Sequence, residues 1–139
     1  MLPDKIREML NSNRVCCLGT VSEEEPYLSL MIFTFVEDED VLIMSSRADS
    51  IKVRNVLGNP RAAVLIHEDE QLENPISMTL NGTVRVEAGE RADKYRNLHQ
   101  QAHPQNSQFI AGEGMAVLTF IPQRAVLADR RDRVTHWER

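Results

Sequence analysis

A lysine stands in the first turn of a predicted helix, where an acidic residue is the usual choice. In the segment SSRADSIKVRNVLGNP, residues 45–60, Asp49 is predicted to cap this helix and Lys52 to be its third residue. The backbone N–H groups of a first helical turn lack intrahelical partners, and the helix dipole makes that end partly positive. Because Lys52 adds further positive charge, we expect a negatively charged partner beside it.

Three hydroxyl groups lie close to this lysine in the sequence. Ser45 and Ser46 end a predicted strand, and Ser50 stands just before the helix. Free N–H groups, a cation and hydroxyls together suit a phosphate, which accepts hydrogen bonds from all of them. The segment therefore indicates an anion site. The alternative is a solvated lysine with serines that only cap or turn the chain.

Two histidines four residues apart form a second pattern. His99 and His103 lie at the end of a predicted helix, and this spacing can supply half of a zinc site. The intervening Gln100, Gln101 and Ala102 lack the glutamate of an HExxH motif. We therefore expect two exposed histidines and no metal site.

The two cysteines are adjacent on a predicted strand. Neighbouring side chains on a strand point to opposite faces, so a disulfide between Cys16 and Cys17 would strain the backbone. We expect two reduced thiols, one buried and one half-exposed, as in cytosolic proteins. The sequence contains no P-loop, no GxGxxG motif and no Ser-His-Asp order, so no catalytic residue is predicted.

Length and charge limit the classes of function. The 139 residues suit one domain, which we predict to span residues 1–139. The net charge is −5 and the basic residues collect mainly around 47–61 and 124–139, whereas nucleic-acid binders usually have a broad basic face. No apolar run approaches the roughly 20 residues of a membrane-spanning helix. We therefore expect a cytoplasmic protein without nucleic-acid or membrane partners.

The hydrophobic pattern predicts strands in hairpin order with helices between some of them. Helices are predicted at 3–11, 50–57 and 90–102, strands at 14–21, 27–36, 41–46, 61–67, 76–89, 115–122 and 124–130, and a tail at 131–139. Consecutive strands without a helix between each pair exclude a doubly wound parallel sheet. We predict a mainly β protein, an antiparallel β-barrel of about six strands with inserted helices, because a barrel removes the sheet edges.

Asn81 and Gly82 interrupt the longest of these predicted strands. An Asn-Gly pair inside a strand indicates either a bulge or a tight hairpin turn. We predict a strand that is bent or bulged at this pair, with the hairpin as the alternative.

The segment VLIMSSRADSIKVRNVLGNPRAAVLI, residues 41–66, resembles the pyridoxamine 5'-phosphate oxidase-like family, the split-barrel flavoproteins. In that family a strand ends in Ser or Thr, a Ser-x-Lys or Ser-Arg-Lys element opens a helix, and Asn-Pro precedes the next strand. Ser46, Ser50, Lys52 and the pair Asn59–Pro60 match these positions. The segment ISMTLNGTVRVE is similar to the family's strand with a central glycine, here Gly82.

The resemblance implies a six-stranded antiparallel split β-barrel of the FMN-binding type, which forms a homodimer with FMN in clefts between the subunits. It implies that the flavin phosphate is held by Ser46, Ser50 and Lys52, with Arg47 as a further candidate, and the anion site read from the local sequence adds Ser45. The ring system would face Met31, Ile32, Phe33 and Thr34. Ser77 falls where the oxidase has a glutamine that touches FMN, and Trp137 would approach the cofactor of the other subunit.

Departures from the family pattern bear on the activity. Ile51 replaces an arginine between the serine and the lysine, and Ser29 and Thr34 stand where basic residues flank the flavin-facing strand. The C-terminal Arg-x-His substrate signature is absent from DRRDRVTHWER. We therefore expect an FMN-dependent oxidoreductase that is not a true pyridoxamine-phosphate oxidase, with an unidentified small-molecule substrate or electron donor.

A different class of function remains open. The chain could be a non-catalytic binding or sensing module on the same barrel, holding flavin, haem or the deazaflavin F420. His136, next to Trp137, could ligate haem in such a module, as some split-barrel relatives bind and degrade haem.

Overall fold

A computed structural model describes all 139 residues, which form eight antiparallel strands in one sheet together with several helices. The strands are β1 (Val15–Ser22), β2 (Glu25–Ile32), β3 (Thr34–Val36), β4 (Val41–Arg47), β5 (Arg61–His67), β6 (Ser77–Val86), β7 (Met115–Ala128) and β8 (Val134–Glu138). The helices are α1 (Asp4–Asn11), α2 (Ile51–Gly58), α3 (Gly89–Ala102) and α4 (Ser107–Ile110), with a 3-10 turn at Pro104–Asn106. None of these helices combines the length and apolar character needed to span a membrane.

The order of the strands requires the sheet to curl. Neighbours follow the path β2-β1-β5-β6-β7-β4-β3, and β8 pairs with β7. The two ends of this path, β2 and β3, are separated in the chain only by Phe33. Because one residue spans at most about 3.6 Å, the two edge strands must start from neighbouring points, and the sheet closes into a half-barrel. The predicted mainly β, antiparallel fold with inserted helices is confirmed, as a half-barrel of eight strands where about six were predicted.

The main hydrophobic core fills the inside of this curved sheet. Alternate residues of β6 are buried, because successive side chains on a strand point to opposite faces. Leu18, Met78, Leu80 and Phe120 are fully buried there, and α1 closes the core with its apolar side. A single chain therefore buries the inward face of the sheet without a partner.

The outer face of the sheet is covered in only one region. On β4 and β7, Val41, Ile43 and Val117 contact Ala92 and Tyr95 of α3 and form a second small core. This helix begins at Gly89, whose φ of 61° lies in the left-handed region that glycine adopts without strain.

A second apolar region of the outer face, on β1, β2 and β5, is not covered. Leu28, Leu30 and Leu65 are 71%, 79% and 46% exposed, and Cys17 pairs with Leu30 and Leu65 in the register. We call these four side chains the bare face. Cys17 is half-buried and Cys16 is buried, as predicted for this pair.

Three predicted strand boundaries are corrected by the structure. The segment predicted as one strand at 27–36 is broken at Phe33, where the chain leaves β1 and joins β4. The segments predicted as two strands at 115–122 and 124–130 form the single strand β7, and the predicted tail contains β8.

The bulge predicted at Asn81 and Gly82 is present and explains the merged strand. Asn81 is opposite Arg124 and Gly82 is opposite Pro122, so Gln123 is the extra residue on β7. A Cβ atom at position 82 would lie 2.0 Å from the carbonyl oxygen of Ile121. Only glycine permits the two strands to approach this closely.

Candidate functional site

A pocket of about 340 Å³ lies where the end of β4 meets the start of α2. Its walls come from β2, β4, α2, α3 and the segment around α4. Seven of the residues predicted for cofactor binding line it: Met31, Ile32, Ser45, Ser46, Arg47, Ser50 and Lys52. The volume falls within the range of small-molecule sites in proteins.

The start of α2 differs in one detail from the prediction. Ser50, not Asp49, is the N-cap, because its Oγ accepts a hydrogen bond from the backbone N–H of Val53 at 3.3 Å. Asp49 instead forms an exposed ion pair with Arg47 at 3.1 Å. Lys52 is consequently the second helical residue rather than the third.

The lysine and two of the serines form a connected hydrogen-bond chain. Lys52 Nζ donates to Ser46 Oγ at 3.1 Å, and Ser46 Oγ donates to Ser50 Oγ at 2.9 Å. These bonds fix the ammonium group over the open end of α2. We call Ser45, Ser46, Ser50 and Lys52 the cradle.

The cradle carries positive charge and an unused hydrogen-bonding group. Lys52 has no carboxylate among the ion pairs of the structure, and burial lowers the pKa of its ammonium group. Ser45 Oγ is the one buried side-chain polar atom without a hydrogen-bond partner. A buried polar group without a partner costs about 1–3 kcal/mol, which a bound ligand can recover. The donor set therefore fits an anion such as a phosphate.

Another part of the pocket wall is apolar. Met31, Ile32, Phe109 and Ile110 give this part of the pocket an apolar surface. The last two come from the segment after α3, where the sequence has no clear periodicity. An apolar wall beside an anion site suits a ligand that joins a phosphate to a ring system.

The two histidines predicted to be exposed are buried, which corrects that expectation. His99 is 1% exposed and lines the pocket, and His103 is 3% exposed. His99 Nδ1 lies 2.7 Å from Thr34 Oγ1. His103 accepts a hydrogen bond from Arg14 at Nδ1 and donates to the Phe33 carbonyl from Nε2. Because both ring nitrogens of His103 have partners, the two histidines do not form a zinc half-site.

The sequence did contain a signal for His99. Ala92, Tyr95 and His99 lie three and four residues apart, which places them on one side of α3. All three are buried, so His99 continues the stripe that packs on the sheet. Burial, and secondarily the nearby His103, lower the pKa of His99 to about 4.

Four predicted site residues do not line this pocket. Phe33 is buried in the main core, and Thr34 reaches the pocket only through its contact with His99. Ser77 Oγ contacts His67 at 2.7 Å, and Trp137 lies on β8 opposite Ala125. One chain therefore brings together the cradle and part of the β2 wall, but neither Ser77 nor Trp137.

Comparison with known protein families gives a match over nearly the whole chain. The model of the family described as pyridoxamine 5'-phosphate oxidase matches residues 2–137. A curated protein of Schizosaccharomyces pombe, named as a pyridoxamine 5'-phosphate oxidase homolog, is 26% identical over 170 residues. That alignment covers 97% of this chain and 90% of the relative.

Solved structures share the fold at low sequence identity. A haem-binding protein from Mycobacterium smegmatis has a TM-score of 0.82 at 19% identity, and the alignment covers 99% of this chain but only 59% of that protein. A FAD-binding protein from Mesorhizobium loti has a TM-score of 0.76 at 15% identity, with 91% and 94% covered. For a putative pyridoxamine 5'-phosphate oxidase from Listeria innocua these values are 0.71, 22%, 88% and 94%. At these identities the similarity concerns the fold alone.

Proposed function

The chain belongs to the pyridoxamine 5'-phosphate oxidase family, and on this premise we propose that it is an FMN-dependent oxidoreductase with its flavin in the pocket beside α2. The observation that carries the proposal is the cradle. A lysine without a carboxylate partner and a buried hydroxyl without a hydrogen-bond partner line the same pocket.

The cradle is proposed to hold the FMN phosphate. Lys52 would supply the charge, Ser45 its unused hydroxyl, and the first turn of α2 its free N–H groups. A bound phosphate would also offset the cost of keeping the Lys52 ammonium partly buried, a cost that its lowered pKa expresses. Arg47 lines the same pocket and can exchange its exposed contact with Asp49 for the phosphate.

The apolar wall is proposed to receive the flavin ring. Met31 and Ile32 lie on one side, and Phe109 and Ile110 come from the segment after α3. Bound FMN supplies hydride or electron transfer, while these side chains orient the ring and exclude water. This division of labour is consistent with a sequence in which no acid–base pair could be identified.

We propose a homodimer that completes the pocket. Leu30 lines the pocket and is also 79% exposed on the bare face, so the open side of the pocket adjoins that face. A second copy seated there would cover both, and a barrel this small cannot enclose a three-ring cofactor alone. In that arrangement Ser77 and Trp137, which lie outside the pocket of their own chain, remain available to the pocket of the other.

The substrate is proposed to differ from pyridoxine phosphate. Ile51, which is 50% exposed, stands where the oxidase has an arginine, and the C-terminal substrate signature is missing. A small molecule or electron donor without a second phosphate agrees better with these replacements.

Titration of the apoprotein with FMN, followed by flavin fluorescence, tests the proposal. We expect Lys52→Ala to weaken FMN binding several-fold at moderate salt, because a charge-assisted contact is lost. Lys94→Ala is the matched control, since Lys94 pairs with Glu39 on the surface and does not line the pocket. Unchanged affinity in Lys52→Ala would remove Lys52 from the site, and a wild-type protein that takes up no FMN would overturn the function.

A non-catalytic module that binds haem is the second candidate. The specific observation in its favour is a neutral histidine, His99, in a partly apolar pocket, since neutral imidazole is a common metal ligand. The absorption spectrum of the purified protein distinguishes haem from flavin. Steady oxidation of NAD(P)H with an artificial acceptor distinguishes an enzyme from a module.

A further inference from the structure

The position of His99 in the pocket follows from the packing of α3. Tyr95 and Ala92, one and two turns earlier, anchor the helix on the outer face of β4 and β7. The same side of the helix continues to His99, which is 1% exposed and lines the pocket. The packing of the helix therefore places an imidazole in the ligand site.

One ring nitrogen of His99 is hydrogen-bonded within the protein, and the other has no hydrogen-bond partner there. Nδ1 lies 2.7 Å from Thr34 Oγ1, whereas Nε2 has no hydrogen-bond partner in the chain. Among the side-chain polar atoms that are fully buried, only Ser45 Oγ lacks a partner. Nε2 is therefore not sealed in the interior, and the opening available to it is the pocket.

The surroundings of His99 keep its ring uncharged and in place. The ring of His103 packs against it edge-on, with 5.0 Å between centroids and 75° between planes. Arg14 donates to His103 Nδ1 at 3.2 Å, so the proton of His103 is on Nε2, from which it donates to the Phe33 carbonyl at 2.8 Å. Arg47 and Lys52 line the same pocket as His99, Arg14 contacts His103, and no carboxylate lines the pocket. Burial, and secondarily His103, lower the pKa of His99, so the ring is neutral at pH 7.

Thr34 allows His99 to bind in two ways. A hydroxyl both donates and accepts, and Thr34 Oγ1 has no other side-chain partner. When Thr34 donates to Nδ1, Nε2 carries the ring proton and is a donor. When Thr34 accepts from Nδ1, Nε2 is an acceptor.

We propose that His99 Nε2 binds the heteroaromatic ring of the ligand directly, and that Thr34 lets it bind a ring nitrogen both without and with a proton. This rests on the proposed function, because a flavin ring nitrogen accepts a hydrogen bond when oxidised and donates one after reduction and protonation. His99 is in this sense a binding residue that serves both redox states.

The affinities for oxidised FMN and for FMN reduced under anaerobic conditions test this inference. We expect His99→Leu to weaken both about five- to tenfold, the loss of one hydrogen bond. Gln101→Leu is the matched control, since Gln101 is an exposed residue of the same helix that does not line the pocket. Thermal unfolding shows whether each variant is folded.

Thr34→Val separates binding from folding if His99→Leu is unstable. Without the hydroxyl, a proton on Nδ1 would be buried without an acceptor, so the proton moves to Nε2, which becomes a permanent donor. We expect affinity for oxidised FMN to be kept and affinity for reduced FMN to fall several-fold, which lowers the midpoint potential of the bound flavin.

The outcomes distinguish this inference from the proposed function. If the wild-type protein binds FMN and both His99→Leu and Thr34→Val bind both redox states equally well, the inference is wrong and the function stands. If Thr34→Val weakens oxidised FMN more than reduced FMN, the assignment of donor and acceptor is wrong. A wild-type protein that binds FMN in neither state overturns both.

Discussion

The outer surface of the curved sheet is apolar in two regions, and only one of them is covered by the chain itself. On β4 and β7, α3 buries Ile43 and Val117 beneath Tyr95. On β1, β2 and β5, Leu28 and Leu30 remain more than two-thirds exposed. The outward side chains are apolar in both regions. The regions differ because α3 packs over the first and no element of the chain packs over the second.

This comparison shows how the pocket is built. His99 lies on α3, next to the covered region, and is buried where it lines the pocket. Leu30 lies on the bare face, lines the same pocket and is 79% exposed. Monomeric proteins rarely expose contiguous apolar patches larger than a few hundred Å². Patches above that size usually mark interaction sites. On the covered side the wall of the pocket is formed by the chain itself, and in the proposed homodimer a second copy would form the wall on the other side.

The largest effect is expected where the covered region is opened. Tyr95→Ala removes a fully buried ring and its hydrogen bond to Glu39, so we expect a loss of about 3–5 kcal/mol in the free energy of unfolding. Tyr95→Phe, which removes only the hydroxyl, is expected to cost about 1 kcal/mol. Urea unfolding measures both, with Leu57→Ala as the exposed control. A loss below 1 kcal/mol in Tyr95→Ala would contradict the role of α3.

Acidification is expected to lower the free energy of unfolding through His99. Its pKa is about 4 in the folded protein and about 6.5 in an unfolded chain. Below pH 6.5 the unfolded chain therefore binds a proton that the folded protein does not. The free energy of unfolding consequently falls as the pH is lowered from about 6.5 to about 4, and below that range this contribution no longer changes. The full loss is roughly 3 kcal/mol.

Unfolding in urea at pH 7, 6, 5 and 4 measures this loss. In His99→Gln the component is absent, so the stability of the variant should fall less steeply than that of the wild type over this range. Equal slopes for both proteins would show that His99 is accessible to solvent protons in the folded state.

A smaller effect is expected from placing charge on the bare face. Leu30→Glu would bury a carboxylate in the proposed dimer interface, and we expect the dimer dissociation constant to rise roughly 30- to 100-fold, or 2–3 kcal/mol. Leu57→Glu is the matched control, because Leu57 is 69% exposed on α2 and is not one of the side chains of the bare face. Light scattering over a range of concentrations reports the mass. A monomeric wild type would remove the second copy from the proposal.

The smallest effect concerns the two thiols. Burial raises the pKa of Cys16 to about 12, so it is expected not to react with thiol reagents in the folded protein. Cys17, half-buried on the bare face, is expected to react, and more slowly when protein concentration favours the dimer. In denaturant both should react. A Cys17 rate that does not depend on concentration would indicate that this face stays open.

The parts of the site that are local in sequence could be predicted, and the parts that depend on packing could not. Ser46, Ser50 and Lys52 lie within seven residues of one another, so a strand end and a helix start suffice to bring them together. His99 joins the pocket only because α3 packs on two strands that are distant in the chain. The exposure of His99 was therefore predicted wrongly, although its place in the buried stripe was visible.

The fold followed the same division. Periodicity located the three longer helices to within a residue or two and most strands nearly as well, because the core face alternates regularly. Pro122 and the extra residue Gln123 were misread as the end of a strand, since a bulge and a break differ only in what the neighbouring strand does. Asp49 was chosen as the cap because local preference alone does not separate it from Ser50.

Gly82 has a consequence for anyone who looks for the site by random mutagenesis. Every amino acid other than glycine would collide with the backbone at Ile121, so any replacement at this position should abolish accumulation of the protein. A screen that scores colonies for flavin colour would then rank position 82 beside Lys52, although the two fail for unrelated reasons. Supplying excess riboflavin to the cells should restore colour to Lys52→Ala and leave Gly82→Ala colourless.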